Sequence, residues 1–283
     1  MNKNIQTFIG CEADFDDAKA AIFGAPFDGT TSFRPGTRFG PSAMRSESFG
    51  IETYSPYQNK DLEDLAVFDA GDLELPFGNT EAVLGMIEDT TQEILDAGKM
   101  PIMLGGEHLV TLGAVRAVAK KYPNLHIIHF DAHTDLRDEY LGEKLSHASV
   151  IRRCHDILGD GRIHQFGIRS GERAEFDFAF AHTDFHPFNA RDVLDVVLSM
   201  EKDVPVYVTL DLDVLDPSLF CGTGTPEAGG IFFPELLEAL LALEALNVVA
   251  FDVNELSPHY DQSGTSTAVA CKVLREMLLA YVR

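Results

Sequence analysis

The stretch Leu-His-Ile-Ile-His-Phe-Asp-Ala-His-Thr-Asp at residues 125–135 decides the fold. Its first half, Leu125–Phe130, is an apolar run that predicts a buried β-strand. Its second half places Asp131, His133 and Asp135 directly after that strand. Alternate side chains of an extended chain point the same way, so these three can line one face. In open parallel sheets, ligands bind beyond the carboxyl ends of the strands, where these residues would lie.

The rest of the chain repeats this strand character between helical segments. The other apolar runs are Ala20–Gly24, Leu65–Asp69, Met100–Leu104, Arg162–Ile168, Val204–Leu210 and Val248–Val253. The segments with helical spacing are Thr80–Ala97, Leu109–Lys121, Pro234–Leu246 and Ser266–Val282. Strand and helix in alternation predict an α/β fold, with a parallel sheet covered by helices on both faces. No linker, repeat or low-complexity tract interrupts it, so we expect a single domain over residues 1–283.

Composition narrows the class of protein. The 283 residues carry a formal net charge of −23, which repels nucleic acid and anionic membranes and attracts cations. No apolar stretch approaches the length of a membrane span, and the first residues do not have the pattern of a secretory signal. We therefore expect a cytoplasmic protein with neither nucleic acid nor membrane as partner. The four cysteines lie far apart, which argues against a thiolate zinc site.

Two further strand ends carry metal-ligand residue types. Gly-Gly-Glu precedes His108, and Asp211 and Asp213 follow the run Val204–Leu210. Four carboxylates converging on one cleft would repel one another, and two divalent cations would balance their charge. Imidazole and carboxylate ligands without thiolate suit Mn, Mg, Fe or Zn. The predicted metal ligands are His108, Asp131, His133, Asp135, Asp211 and Asp213.

Two more residues are candidates for catalysis. His147 follows Ser146 in a loop after the Asp131 cluster, and we predict a proton-transfer role for it. Glu255 follows the run Val248–Val253 and should face the same cleft, where a carboxylate that binds no metal could hold a cationic substrate. His129 lies inside the strand, and we expect it to support the site from the core. The glycine-rich segment 221–230 lacks the spacing of a phosphate loop.

These pieces, in this order, resemble the ureohydrolase family, which includes arginases and agmatinases. The matching motifs are GAPFDGTTSFRPGTRFGP at 24–41, GGEH at 105–108, DAHTD at 131–135, SH at 146–147, LDLDVLDP at 210–217, GTGTPEAGG at 222–230 and DVNELSP at 252–258. The resemblance implies a three-layer α/β/α sandwich with a central, mostly parallel sheet. It also implies two Mn²⁺ ions and a homo-trimer or homo-hexamer.

The resemblance assigns a role to each candidate residue. It divides the six ligands between two ions: Asp131 and Asp211 would bridge, His108 and Asp135 would complete one shell, and His133 and Asp213 the other. A hydroxide bridging the ions would attack the guanidino carbon of the substrate. His147 would shuttle protons, and Glu255 would orient the guanidinium group. The family motif usually reads GGDH where this chain has Glu107, and proline usually stands where it has Cys221.

The substrate is the more open question. Arginases usually carry an asparagine two residues after DAHxD, whereas this chain has Leu136 and Arg137. TSFRPGTRFGP and GTGTPE look more like agmatinases, which predicts hydrolysis of agmatine to putrescine and urea. Guanidinobutyrate remains an alternative because Arg137 could meet a carboxylate, and arginine and formiminoglutamate are further alternatives. A metal-binding regulatory protein without catalysis is the non-enzyme alternative. A metal-dependent deacetylase is disfavoured, because such enzymes typically carry an adjacent His-His pair that this chain lacks.

Overall fold

The computed structural model describes Met1 and residues 4–283. Within them, eight strands form one sheet in which every pairing is parallel. The strands, in the order β4-β1-β5-β10-β9-β6-β7-β8, are Val67–Asp72, Ala20–Ala25, Met100–Gly105, Asn247–Asn254, Pro205–Asp211, His126–Phe130, Ile163–Phe166 and Asp184–His186. A separate antiparallel pair consists of β2 (Tyr54–Ser55) and β3 (Lys60–Asp61).

Helices cover both faces of the large sheet. One layer contains α1 (Gly40–Glu47), α6 (Val193–Ser199), α7 (Phe233–Ala242) and α8 (Thr265–Tyr281). The other contains α2 (Thr80–Asp96), α3 (Thr111–Lys121), α4 (Val150–Leu158) and α5 (Arg173–His182). The predicted α/β/α sandwich with a central parallel sheet is confirmed.

The core consists of two apolar layers, one on each face of the sheet. In β9, Val206 and Val208 pack into one layer, and Tyr207, which lies between them, packs into the other. This alternation follows from the period of two in a strand. Every residue of β9 is buried, which explains why the strand reads as a nearly continuous apolar run.

Each of the seven predicted strands and four predicted helices is present, with ends shifted by a few residues. The predicted helix Pro234–Leu246 ends earlier, because α7 stops at Ala242 and a 3₁₀ turn, Leu243–Ala245, follows it. The sequence reading missed four helices, α1, α4, α5 and α6, and it also missed β8 and the small hairpin. These strands have two or three residues each and contain polar side chains, so they show no apolar run.

The parallel order brings several strand ends to one edge of the sheet. β5, β10, β9 and β6 are neighbours, so the residues after them meet at the carboxyl edge. The predicted ligands come from the ends of three of these strands, and Glu255 follows the fourth. Among the described residues, no helix combines the length and the apolar character needed to span a bilayer.

Candidate metal centre and active site

His108 is placed by the turn that follows β5. The amide of Gly106 donates to the carbonyl of Ala25 at 2.9 Å. A Cβ at Gly106 would lie 2.0 Å from the carbonyl oxygen of Phe27, so only glycine fits there. The backbone amide of His108 donates to Oε1 of Glu255 at 2.7 Å. The turn therefore holds the imidazole and Glu255 together at the sheet edge.

A buried polar network orients the His108 ring. Its Nε2 lies 2.8 Å from the hydroxyl of Thr209, which donates to Asp252 at 2.7 Å. Thr111 and Tyr207 also donate to the Asp252 carboxylate, at 2.8 and 2.6 Å. Because Thr209 gives its proton to Asp252, its oxygen accepts from Nε2–H of His108. The Nδ1 lone pair of His108 is then available to a metal ion.

Nδ1 of His108 faces three predicted ligands. It lies 3.0 Å from Oδ2 of Asp131, 3.2 Å from Oδ2 of Asp135 and 3.4 Å from Oδ2 of Asp211. Asp135 has a φ of 52°, in the left-handed region that non-glycine residues rarely adopt. Strained backbone of this kind clusters at functional sites, because the surrounding structure must hold it.

The other two predicted ligands lie on the far side of Asp131. Nδ1 of His133 is 3.5 Å from Oδ1 of Asp131 and 3.1 Å from Oδ2 of Asp213. Asp131 thus directs one oxygen to each histidine, as a bridging carboxylate would. Asp211 directs Oδ2 towards His108, while its Oδ1 accepts from the amide of Asp213 at 2.8 Å.

The electrostatics of this cluster fit a pair of divalent cations. Burial and the neighbouring Asp131 charge raise the pKa of Asp135 to about 7. Burial, Asp213 and Asp131 raise the pKa of Asp211 well above its usual range. Burial opposes a charge on His108, yet the surrounding carboxylates raise its pKa well above the usual value. Four buried carboxylates and two imidazoles form a donor set whose negative charge two divalent ions would neutralise.

His129 supports the cluster from inside the sheet, as its position in the sequence predicts. It is fully buried, and its Nε2 lies 2.9 Å from Oδ2 of Asp131. The side-chain amide of Gln165 donates to its Nδ1 at 3.1 Å, so Nε2 carries the proton that reaches Asp131. A ring already held on both nitrogens orients a ligand and is poorly placed to be one.

His147 lies across the cavity with its tautomer defined by the backbone. Its Nδ1 is 2.9 Å from the carbonyl oxygen of Thr30, which can only accept, so Nδ1 carries the proton. Nε2 lies 3.1 Å from the hydroxyl of Ser32 and keeps its lone pair for an incoming proton. Burial, followed by smaller effects of His133 and His108, lowers the pKa of His147 to about 4. The ring is therefore neutral near pH 7.

Glu107, at the first departure from the family motif, braces the loop that holds His147. Its carboxylate accepts from the amide and hydroxyl of Thr30 at 2.9 and 2.5 Å, and from the hydroxyl of Thr31 at 3.0 Å. The Thr30 hydroxyl in turn accepts from the amide of His147 at 3.1 Å. The second departure, Cys221, is exposed, and it precedes Gly222, whose amide donates to Ser266 at 2.9 Å.

A cavity of about 250 Å³ opens onto these residues, and Glu255 forms part of its wall. Glu255 has a φ of 67°, and its amide donates to the carbonyl of Gly106 at 2.9 Å. Burial, Asp213 and Glu107 raise its pKa well above the usual range. A cation that entered the cavity would restore the charged form of this carboxylate.

Arg137, also in the cavity wall, is already paired. Its Nη1 lies 2.8 Å from Glu172, its Nε lies 3.5 Å from Glu175, and its guanidinium lies over the ring of Tyr140 at 4.5 Å. Glu175 is itself held by the hydroxyl of Thr134, at 2.5 Å. Two carboxylates therefore neutralise this arginine.

The structure brings all eight predicted site residues together around one cavity and its floor. The sequence reading missed the residues that support them: Glu107 as a brace, Thr111, Thr209, Asp252, Glu172 and Glu175. The role of Asp252 could have been inferred from the sequence, because a carboxylate inside the apolar run Val248–Val253 must find buried partners. Thr209 and Glu172 had no local signal.

Comparison with known proteins places the chain in a family. The model of the arginase family matches residues 18–280. An agmatinase from Bacillus anthracis is 48% identical over 281 residues, covering 98% of this chain and 97% of that protein. A human mitochondrial guanidino acid hydrolase is 36% identical, covering 92% of this chain and 78% of that protein.

A solved structure from Clostridium difficile superimposes with a TM-score of 0.93 at 49% identity, covering 95% of this chain and 99% of that one. The family match, the identity over nearly the whole length and the shared fold agree with one another. The chain belongs to the arginase family.

Proposed function

We propose that this protein is an agmatinase, which hydrolyses agmatine to putrescine and urea. The observation that carries the proposal is the convergence of two imidazoles and four carboxylates on one cavity, with His147 and Glu255 in its wall. Identity of 48% to a protein named agmatinase supports the same substrate.

The residues that would hold the two ions are His108, Asp131, His133, Asp135, Asp211 and Asp213. We propose Mn²⁺, which suits oxygen and imidazole donors without thiolate. When bound, two such ions supply Lewis acidity and make water a nucleophile at neutral pH. In the reaction, water adds to the guanidino carbon, and the bond from this carbon to the substituted nitrogen breaks.

Glu255 and His147 have separate tasks in this proposal. Glu255 accepts hydrogen bonds from the guanidinium and positions its carbon, and the Glu255 carboxylate is itself fixed by the amide of His108. His147 takes at Nε2 the proton that the attacking water loses, and passes it to the nitrogen of the departing amine, which must leave neutral or protonated. Its lowered pKa keeps it neutral and ready to accept that proton.

The pairing of Arg137 favours agmatine over guanidinobutyrate. A substrate carboxylate would have to compete with Glu172 and Glu175 for the guanidinium. The distal ammonium of agmatine instead meets a wall in which carboxylates outnumber this arginine. Agmatine carries two positive charges, and the net charge of −23 on the protein attracts it over longer distances.

We also propose a domain organisation, a location and an oligomeric state for the enzyme. We propose one domain over residues 1–283, supported by the single large sheet that spans most of the chain. We propose a cytoplasmic location, and the net charge of −23 disfavours nucleic acid and anionic membranes as partners. The family resemblance supports a homo-trimer or homo-hexamer, which light scattering would distinguish.

A urea-release assay with added Mn²⁺ tests the proposal. It compares agmatine, arginine and guanidinobutyrate, with Asp213→Ala as the variant that lacks one proposed ligand. Cleavage of formiminoglutamate would give glutamate and formamide in place of urea, so that substrate is followed by the release of glutamate. We expect urea chiefly from agmatine, and loss of both metal and activity in Asp213→Ala with the fold retained. Urea chiefly from guanidinobutyrate would overturn the substrate, and no product from any compound would favour the non-enzyme alternative.

A further inference from the structure

We infer that His155, Asp160 and His182 form a second cation site, separate from the candidate catalytic centre, for one divalent transition-metal ion of the Zn²⁺ type. His155 lies in the last turn of α4, Asp160 lies in the loop before β7, and His182 ends α5. These segments lead into the amino ends of β7 and β8, so the cluster lies at the edge of the sheet opposite the carboxyl edge.

The three side chains already converge on one point. Oδ1 of Asp160 lies 2.8 Å from Nε2 of His155 and 2.9 Å from Nδ1 of His182. The three ligand atoms all lie within 4.8 Å of one another. The carboxylate of Asp160 holds both imidazoles together through these hydrogen bonds. A metal ion would replace the shared ring protons and use the same three atoms.

Packing holds the imidazoles in place. The ring of Phe178 lies 4.3 Å from that of His182 and 5.0 Å from that of His155, measured between centroids. The loop is also tied down, because the amide of Gly161 donates to the carbonyl of His182 at 3.0 Å. Little conformational entropy is then left to lose on binding, which favours a metal site over a chance meeting of side chains.

The local field favours a cation. Both histidines lie in the last turns of α4 and α5, where a helix carries partial negative charge. Two arginines of α4 lie nearby, and Arg152 and Arg153 both contact Asp156, at 3.9 and 3.1 Å. Their charge is therefore partly balanced.

The donor set selects the metal class. Two imidazoles and one carboxylate without thiolate suit Zn²⁺ and its neighbours in the first transition row better than Mg²⁺ or Ca²⁺, which prefer oxygen ligands alone. Three protein ligands leave at least one position for water. Bound there, the ion would link the end of α4 to the end of α5 and stabilise the folded state by mass action.

Zinc binding to the Mn²⁺-loaded enzyme tests the inference. Equilibrium dialysis against Zn²⁺ in excess Mn²⁺, followed by elemental analysis, gives the zinc bound per chain. The wild type is compared with His155→Gln/His182→Gln, with Asp160→Asn, and with His259→Gln as a control at an exposed histidine outside the cluster. Exchange of zinc into the catalytic centre is common to all four proteins and cancels in the comparison.

We expect the wild type and His259→Gln to bind one zinc ion more than the double variant. Asp160→Asn should bind that ion at least about tenfold more weakly than the wild type does. If the double variant fails to fold, the comparison of Asp160→Asn with the wild type tests the inference. Equal zinc in the wild type and in folded variants would overturn the inference, as would half-saturation above about 1 mM. Urea release from agmatine is measured in a separate assay. A negative result there would contradict the proposed function without contradicting the zinc site, and equal zinc binding would contradict the zinc site without contradicting the proposed function.

Discussion

At the scale of single residues, the role of His147 depends on which ring nitrogen holds the proton. The carbonyl of Thr30 accepts a hydrogen bond from Nδ1–H of His147, so Nε2 is the nitrogen that can exchange protons with the substrate. We predict that His147→Asn keeps both metals and lowers kcat by about 10²-fold or more, because a general acid–base residue is lost. Metal analysis and steady-state kinetics check this, and loss of metal in the variant would identify His147 as a ligand instead.

Glu107 acts on catalysis through Thr30 and the loop that carries His147. We predict that Glu107→Gln lowers kcat by about tenfold and leaves metal content and KM for agmatine nearly unchanged. The reason is that an amide cannot accept every hydrogen bond that the carboxylate receives from Thr30 and Thr31.

The matched control for Glu107 is Glu81→Gln, an exposed carboxylate paired with Arg116 on the surface. It should leave kcat unchanged, because exposed ion pairs contribute little. A purely structural role for Glu107 would lower the unfolding temperature without altering kcat of the folded enzyme, and that result would contradict the prediction.

At the scale of secondary-structure elements, three neighbouring strands cooperate to orient one ligand. His108 follows β5, Thr209 lies in β9 and Asp252 lies in β10, and the hydrogen bonds between them run across the sheet. Their position inside a fully buried layer leaves the ring of His108 little freedom. The sheet itself thus prepares the ligand for metal.

We predict that Thr209→Val weakens metal binding by about 10- to 100-fold, because Nε2–H of His108 loses its acceptor. Titration of the metal-free variant with Mn²⁺, followed by the return of urea release, measures the affinity. Thr90→Val, on the exposed face of α2, is the matched control and should bind as the wild type does. Equal affinities in both variants would remove Thr209 from the support of the metal centre.

At the scale of the whole molecule, the metal-free protein carries several carboxylates whose pKa values burial has raised. For Asp135 the value rises from 3.8 to about 7, and Asp211 and Glu255 shift in the same direction. Between pH 3.8 and about pH 7, the folded chain therefore binds more protons at Asp135 than the unfolded chain does. Stability from these groups is present at low pH and is lost as the pH rises through the folded pKa.

We therefore predict that chelation lowers the unfolding temperature at pH 7.5, and that the metal-free protein regains part of this loss near pH 6. Calorimetry of the metal-free protein at both pH values measures it. A double variant, Asp135→Asn/Asp211→Asn, should show a weaker pH dependence because two of the titrating groups are gone. A metal-free wild type that became less stable towards pH 6 would contradict the prediction.

The sequence by itself determined the fold class, seven of the strands and the six candidate ligands. It could do so because these features are local: a buried parallel strand reads as an apolar run, and its ligands follow within a few residues. The run Leu125–Phe130 predicts a buried strand, and the Asp-Ala-His-Thr-Asp after it contains three of the candidate ligands.

Only the tertiary structure decided what surrounds those ligands. Thr209 meets His108 across 101 residues of sequence, and Arg137 meets Glu172 across the whole of α4 and β7. Glu107 supports His147 through Thr30, which comes from a third part of the chain. No periodicity marks such pairs, because hydrogen bonds and ion pairs depend on distance in space. The partners of Arg137, and their charge, likewise became visible only in the structure.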